Sequence, residues 1–264
     1  MFNWISQIFS VTWFSIRSIP QRKGSSLAAM LGIAGVVAVM VGVLSIAQGI
    51  VKTMDSSAGG ANAVVLRSGS DSEMMSGLGG DETRIISEAP GIARDETGAL
   101  ASPELFVIIN LPMRTTGTDA NVPLRGVQSQ ARKIRNNFKI IEGRMFEWGL
   151  NEVIVGTGAR EQFSGLQVGS SIEVGQEQWP VVGVFQASGG VAESEIWVDA
   201  SVLQSAYRRG NSYQSVYVKL NSPGAFDTFK DSLTSDPRLN IKSIRETDYY
   251  ASQSEMIYNL ITGL

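Results

Sequence analysis

The hydrophobic pattern divides the chain into one unbroken apolar run and a long remainder of short alternating segments. From Leu27 to Ile50, 24 consecutive positions carry no charge. A helix rises about 1.5 Å per residue, so this run reaches roughly 36 Å, enough to cross a hydrocarbon layer about 30 Å thick. Gly32, Gly35, Gly42 and Gly49 punctuate it; such glycines weaken a helix in water but are frequent in membrane spans. The pattern predicts one transmembrane helix over residues 27–50. Ala61-Asn62-Ala63 has the small-x-small form of a signal-cleavage site. Signal cores run about 7–15 residues after a short basic start, whereas this run is longer and begins later, so a retained anchor is expected.

Ahead of the span, Ile5, Phe9, Thr12 and Ile16 recur at helical spacing, while Asn3, Ser6, Gln7, Ser10 and Arg17 fall mainly elsewhere. Trp4 and Trp13 add amphipathic rings that favour a headgroup boundary. This predicts a helix lying on the membrane surface, with Pro20 and Gly24 making the bend into the span; a solvated helix packed on a partner subunit fits the same spacing. Charge then orients the chain. Residues 1–26 hold Arg17, Arg22 and Lys23 and no acidic residue. The net charge of −3 less this +3 leaves −6 beyond. Excess Lys and Arg beside a span marks the cytoplasmic side, which places residues 1–26 inside and the large domain outside.

The exterior part opens with a short strand, Ala63 to Arg67, and a loop rich in Ser, Gly and Met from Ser68 to Gly80, expected to be mobile. Met74 and Met75 there read as loop residues or as a contact surface. Asp81 is placed to cap a short helix burying Ile85 and Ile86, stopped at Pro90-Gly91, with a strand beginning near Ile92. A second such unit closes the domain. Val216, Val218 and Leu220 alternate with polar neighbours as a half-buried strand does. Ser222-Pro223 supplies a cap and a first-turn proline, Asp227 suits the helix dipole, and Phe226, Phe229 and Leu233 form one stripe. Asp236-Pro237 ends that helix before a strand from Leu239 to Arg245. Two β-α-β units at the two ends imply one lobe whose halves meet in space.

Between them, residues 104–212 are dense in short strands: Leu105–Leu111, Asn121–Val127, Glu152–Gly156, Ser171–Val174, Pro180–Phe185 and Glu195–Val198, with glycine-rich joints. Asp199 is placed to cap a short helix through Val202, Leu203 and Ala206.

Composition removes much chemistry. The chain has no cysteine and no histidine, so disulfides, thiolate metal sites, the commonest metal ligand and the usual general base are all missing. The acidic balance argues against nucleic acid as a partner. Val155-Gly156-Thr157-Gly158-Ala159 follows a strand like a dinucleotide turn, but Glu161 stands where a third glycine belongs. Glu193 and Glu195, two apart, would share a strand face and could hold a cation or act as paired acids; a solvated edge beside Gly189-Gly190 is the simpler reading. Arg208-Arg209 reads as an exposed turn, and Trp179 and Trp197 as core or interface packing. No nucleophile motif such as G-x-S-x-G is evident.

One ordered set of motifs remains. Glu142-Gly143-Arg144-Met145-Phe146, then Glu152-Val153-Ile154-Val155-Gly156, then Leu166-Gln167-Val168-Gly169, then Trp179-Pro180-Val181-Val182-Gly183-Val184 resembles the exterior domain of MacB-like (FtsX-like) ABC transporter permeases. The resemblance covers nearly the whole chain. It implies an α+β membrane protein: one N-terminal transmembrane helix followed by a periplasmic domain with a split β-α-β lobe (51–103 and 213–247) and an inserted β-rich lobe (104–212). It further implies a non-catalytic subunit without catalytic, cofactor or metal residues, in a bacterial inner membrane. Its partners would be a cytoplasmic ABC ATPase, a second permease copy or paralogue, and a periplasmic adaptor. ATP-driven closure of the ATPase would move the exterior domain to export or extract a substrate by mechanical coupling. The family has four spans, whereas residues 248–264, with an apolar run starting at Met256, Ile257, Leu260 and Ile261, read as a helix leading into a truncated second span. A piece of a longer permease, or a product that does not transport alone, is therefore expected. The alternative is a membrane-anchored periplasmic binding or scaffold domain with no ATPase.

Overall fold

The computed structural model of the chain describes residues 2–18, 23–57, 60–135 and 137–253. The bend at Pro20 and the apolar run from Met256 to Ile261 lie outside these; Gly24 lies in the first turn of the second helix. The chain divides into two compact units, residues 1–49 with 260–264, and residues 50–259.

The first unit is helical. α1 spans Phe2–Ser18 and α2 spans Lys23–Ser57. Within α2, Lys23–Ser45 is long and apolar enough to cross a membrane, and none of its most apolar stretch is buried against protein. A core helix of a soluble domain would be covered. Here Leu31, Ile33, Val36 and Val39 are all exposed. Trp4, Phe9 and Trp13 of α1 are likewise exposed.

The second unit is built on one mixed sheet. In chain order its elements are β1 (Asn62–Arg67), β2 (Leu78–Gly79), α3 (Gly80–Ser87), β3 (Arg94–Asp95), β4 (Gly98–Ala99), β5 (Ala101–Pro112) and β6 (Asp119–Val127). There follow α4 (Ala131–Ile134), β7 (Phe138–Gly143), β8 (Val153–Gly156), α5 (Thr157–Gln162), β9 (Ser171–Val174), β10 (Glu177–Ala187), β11 (Ile196–Asp199) and α6 (Ala200–Ala206). The last are β12 (Ser212–Tyr213), β13 (Ser215–Lys219), α7 (Phe226–Thr234) and β14 (Ile241–Arg245). The sheet runs β14-β1-β13-β5-β6-β11-β8-β10-β7, with β9 paired to β10.

Both β-α-β units are split. β1 and β5 run the same way with β13 between them, and β13 and β14 run the same way with β1 between them. Each unit thus supplies the strand that fills the gap in the other, as in ferredoxin-like topologies. β5 is shared. Its first residues, Ala101–Glu104, pair with β13, and Leu105–Pro112 pair with β6. One strand therefore carries the sheet from the chain ends into the middle of the sequence.

Strand alternation fills four cores. Ala63, Val65, Val216 and Val218 face Ile86 of α3 and Phe229 and Leu233 of α7. Val64, Leu66 and Tyr217 face the other way, onto Ile134 and Tyr249. Along β8 and β11, Val153, Val155, Ile196 and Val198 enter a large core with Trp179. Ile154 and Trp197 enter a second one with Phe146 and Phe185.

Five local expectations are corrected. No strand of the main sheet begins near Ile92, which makes an isolated bridge to Leu220; β5, from Ala101, closes that β-α-β unit instead. The strand Ser215–Lys219 is buried on both faces rather than half-buried, Tyr217 included. The stretch Ser68 to Gly80 is folded: it holds a 3-10 turn over Glu73–Met75 and β2, which pairs with β12, and Ser70, Glu73, Ser76 and Leu78 are buried. Asp81 does not cap α3, because the helix starts at Gly80. Gly79 takes the cap position and its N–H donates to Glu82 Oε2 at 2.7 Å. Ser222 precedes a 3-10 turn over Pro223–Ala225 rather than α7 itself, and its side chain makes no cap bond. Asp199 does cap α6, accepting from the Ser201 N–H at 2.8 Å.

The incoming and outgoing chain lie side by side. Ala63 of β1 pairs with Arg245 of β14, and residues 246–253 continue as helix. Buried Asn62 ties the two, its Nδ2 donating to Glu246 Oε2 at 2.8 Å and to the Ile134 carbonyl at 3.0 Å. Asn62→Ala is expected to lower the unfolding free energy by about 1–3 kcal/mol, the usual range for stripping a buried polar partner. Asn62→Asp should cost more, because it sets a second carboxylate against Glu246. Urea titration of both variants decides it; an unchanged midpoint would remove this tie from the account.

Candidate functional site: a buried charge cluster on the shared strands

Arg125 lies near the end of β6 in an otherwise apolar stretch, with Val122, Leu124 and Val127 buried around it. Alternation sends its side chain to the face opposite Leu124, where water does not reach. A buried guanidinium must satisfy all five N–H donors and its charge. Three carboxylates do this. Nη1 donates to Glu73 Oε1 at 2.7 Å and to Glu104 Oε2 at 3.0 Å. Nη2 donates to Glu73 Oε2 at 3.0 Å and Glu195 Oε1 at 2.8 Å, and Nε to Glu195 Oε2 at 2.8 Å. Arg135 grips Glu104 with two bonds of 2.6 Å. Ser215 and Trp197 complete the carboxylates, Ser215 Oγ donating to Glu73 at 2.6 Å and Trp197 Nε1 to Glu195 at 2.8 Å. Arg135 stacks 4.0 Å from the Tyr217 ring and Arg125 lies 4.9 Å from that of Phe106.

Two arginines against three glutamates leave one net negative charge in the cluster. Burial alone would raise the Glu73 carboxyl, but the charge of Arg125 and the hydrogen bonds from Arg125 and Ser215 outweigh it and hold it below the ordinary carboxylate value. Burial would lower Arg125, yet Glu195 and Glu73 hold it well above the usual guanidinium range. The Tyr217 hydroxyl is pushed up by burial and by Glu73. The Glu73 shift makes its sign definite: its stabilisation is present above the ordinary carboxylate pKa and is lost as pH falls through the lower folded value. Every carboxylate here is engaged as an acceptor, and the guanidinium fills the point where a cation would sit. Among the described residues no group of three acidic, His or Cys side chains is arranged to hold a metal.

The other candidates resolve separately. Glu195 belongs to this cluster, while Glu193 sits in the 3-10 turn Val191–Ser194. There Glu193 accepts from the N–H groups of Ala187 and Gly189 at 2.7 Å and from Thr157 Oγ1 at 2.6 Å. The two share no strand face because the strand begins only at Ile196, and Glu195 is buried rather than solvated. Gly156 and Gly158 are small for the same turn: a Cβ on Gly156 would lie 2.2 Å from the Glu193 carbonyl oxygen, and one on Gly158 3.1 Å. A carbonyl and a carboxylate thus cover the start of α5, where a pyrophosphate would need donors. Trp179 and Trp197 are fully buried, and Arg208 and Arg209 are exposed.

Three of the four motifs meet in a second construction. Gly143 has φ +71°, and a Cβ there would fall 2.2 Å from the Val182 carbonyl oxygen. Gly183 is equally constrained by the Arg144 carbonyl oxygen at 2.1 Å. The Arg144 N–H donates to Val182 at 2.9 Å, and its guanidinium forks onto Glu152, which also accepts from the Glu147 N–H. Phe146 drops into the core beside Ile154. Glycine, arginine, aromatic and distant glycine are therefore parts of one lock between β7 and β10.

Residues 26–236 match the family described as the MacB-like periplasmic core domain. The chain belongs to that family. Among solved structures, the periplasmic region of MacB from Actinobacillus actinomycetemcomitans shares the fold at 14% identity and a TM-score of 0.53, covering 80% of this chain and 98% of that one. The extracellular domain of the noncanonic ABC-type transporter YknZ from Gram-positive bacteria aligns at 16% identity and a TM-score of 0.48, over 69% of this chain and 99% of that one. No match is found among curated proteins.

The charge cluster of this MacB-like domain was missed by pattern reading, although a signal existed. Glu104 and Arg125 are charges of opposite sign set in apolar stretches, and a buried charge is prohibitive without a partner. Glu73 gave no signal, lying in a Ser- and Gly-rich loop. Arg125→Met should lower the unfolding free energy at pH 7 by about 3–5 kcal/mol, because it strands the buried carboxylates of Glu73 and Glu195, while Glu104 keeps Arg135. The deficit should shrink toward pH 4 as the Glu73 carboxyl, no longer held down by Arg125, takes up a proton. Arg125→Lys keeps a charge without the fork and should recover only part. Urea unfolding at both pH values reads this out; a deficit independent of pH would remove the stranded charges as its cause.

Proposed function

We propose that this chain works as part of the permease subunit of an ABC transporter. Residues 1–26 lie in the cytoplasm, residues 27–50 cross the inner membrane, and the rest acts in the periplasm. The observation that carries the reading is the pairing of β1 with β14, which brings the strand after the first membrane helix beside the strand before the next helix. Two adjacent tethers favour motion of the domain as a whole. The lobe of 51–103 and 213–247 receives that motion, and β5 with the Arg125 cluster passes it to the lobe of 104–212. In this reading a cytoplasmic ATPase supplies the work, a second permease copy or paralogue completes the translocator, and the outer lobe engages an adaptor or substrate for export or extraction. The chain itself performs no bond chemistry; Arg17, Arg22 and Lys23 against the acidic remainder support the orientation.

The absence of native cysteine makes the test direct. In cells with a permeabilised outer membrane, an impermeant maleimide is expected to label Thr115→Cys at once and Gln7→Cys only after lysis. The opposite pattern would overturn the orientation. In purified membranes holding the partner ATPase, vanadate trapping should change the distance between spin labels on Thr115→Cys in paired copies. A distance indifferent to nucleotide would leave an anchored binding domain in place of a transport subunit.

A further inference from the structure

The turn over Glu73–Met75 presents two large apolar side chains to water from a rigid base. Met74 and Met75 are 66% and 73% exposed, while Glu73 and Ser76 on either side are buried. The base is anchored several times over: Glu73 by Arg125 and Ser215, Ser76 Oγ by the Arg67 N–H at 2.9 Å, and the Met75 carbonyl by Ser70 Oγ at 3.2 Å. Exposure here is not the slackness of a free loop. Methionine pairs of this kind suit an irregular apolar contact.

We propose that this turn seats against the outer surface of the lipid bilayer, an inference that rests on the exterior placement of the domain proposed above. Two observations choose lipid. Gln253 Nε2 donates to the Asp71 carbonyl at 2.8 Å, and the sequence turns apolar at Met256. Three residues span at most about 11 Å even fully extended, so the segment leading back to the membrane starts within reach of the turn. The same end of the sheet carries exposed Arg67 and Lys242, the latter 3.8 Å from Asp71. A second protein fits less well. Stable interfaces bury about 800 Å² per partner, far more than two methionines flanked by Ser and Gly provide.

The test uses the full chain in liposomes of phosphatidylethanolamine and phosphatidylglycerol, with an environment-sensitive dye on single variants Ala38→Cys, Met75→Cys and Thr115→Cys. Emission from Met75→Cys should shift to the blue and be quenched by shallow nitroxide lipids but little by aqueous iodide. Thr115→Cys should show the reverse. Iodide quenching at both sites would overturn the proposal, as would a blue shift at Met75→Cys without lipid quenching, which would mean a protein contact. Ala38→Cys reports separately: if deep nitroxide lipids fail to quench it, the membrane reading itself has failed.

Discussion

A guanidinium buried at the middle of a sheet is tolerated only when every donor and its charge are met, and that demand organises this domain. Arg125 draws one carboxylate from the turn after β1, one from β5 and one from the approach to β11. These segments are far apart in sequence. Until all three arrive, each charge is desolvated without compensation, a state costing several kcal/mol per ion. The cluster therefore adds little net stability over an apolar equivalent, but it penalises any arrangement in which one segment is displaced. That makes it a device for holding separate parts of the chain in one register.

The sheet supplies the frame on which this works. β5 pairs with β13 through its first four residues and with β6 through the rest, so the strands from the chain ends and those from the middle share one backbone. Glu104 stands at the changeover, bonded to both Arg125 and Arg135. Charge pairing and strand pairing thus coincide at one residue. Farther out, close backbone approach takes over from charge. Gly143, Gly156 and Gly183 each leave room for a carbonyl oxygen that a Cβ would meet at 2.1–2.2 Å.

Much of the fold was legible because its cues are local. Twenty-four uncharged residues, the alternation of Val216 and Val218, and the stripe of Phe226, Phe229 and Leu233 each read on one element without reference to another. What escaped depends on partners distant in sequence. The stretch Ser68–Gly80 has the composition of a loose loop and is held down by Arg125, Ser215 and β12. Glu193 and Glu195 look like strand neighbours, yet a 3-10 turn separates their roles. β7 was not expected as a strand, since on this sheet edge Lys139, Ile141 and Glu142 all face solvent and alternation is blurred. The motif from Gly143 to Phe146 was legible as a pattern, but its cause, the carbonyl of Val182 some forty residues on, was not.

A domain driven through two adjacent tethers transmits motion only if it resists internal shear. Backbone ladders resist sliding along the strands, since a slip of one residue turns every side chain to the wrong face. They resist bending between strands much less, because twist varies freely across a sheet. The Arg125 cluster acts in that softer direction. It joins Glu73, beneath β13, to Glu195, beside β11, across the face of the sheet rather than along it. Forked bonds to two of its carboxylates fix angle as well as distance. A lysine or an apolar plug of the same volume would fill the space without fixing the angle, which is the physical reason for a costly charge at this position in a domain whose proposed task is to move as one piece.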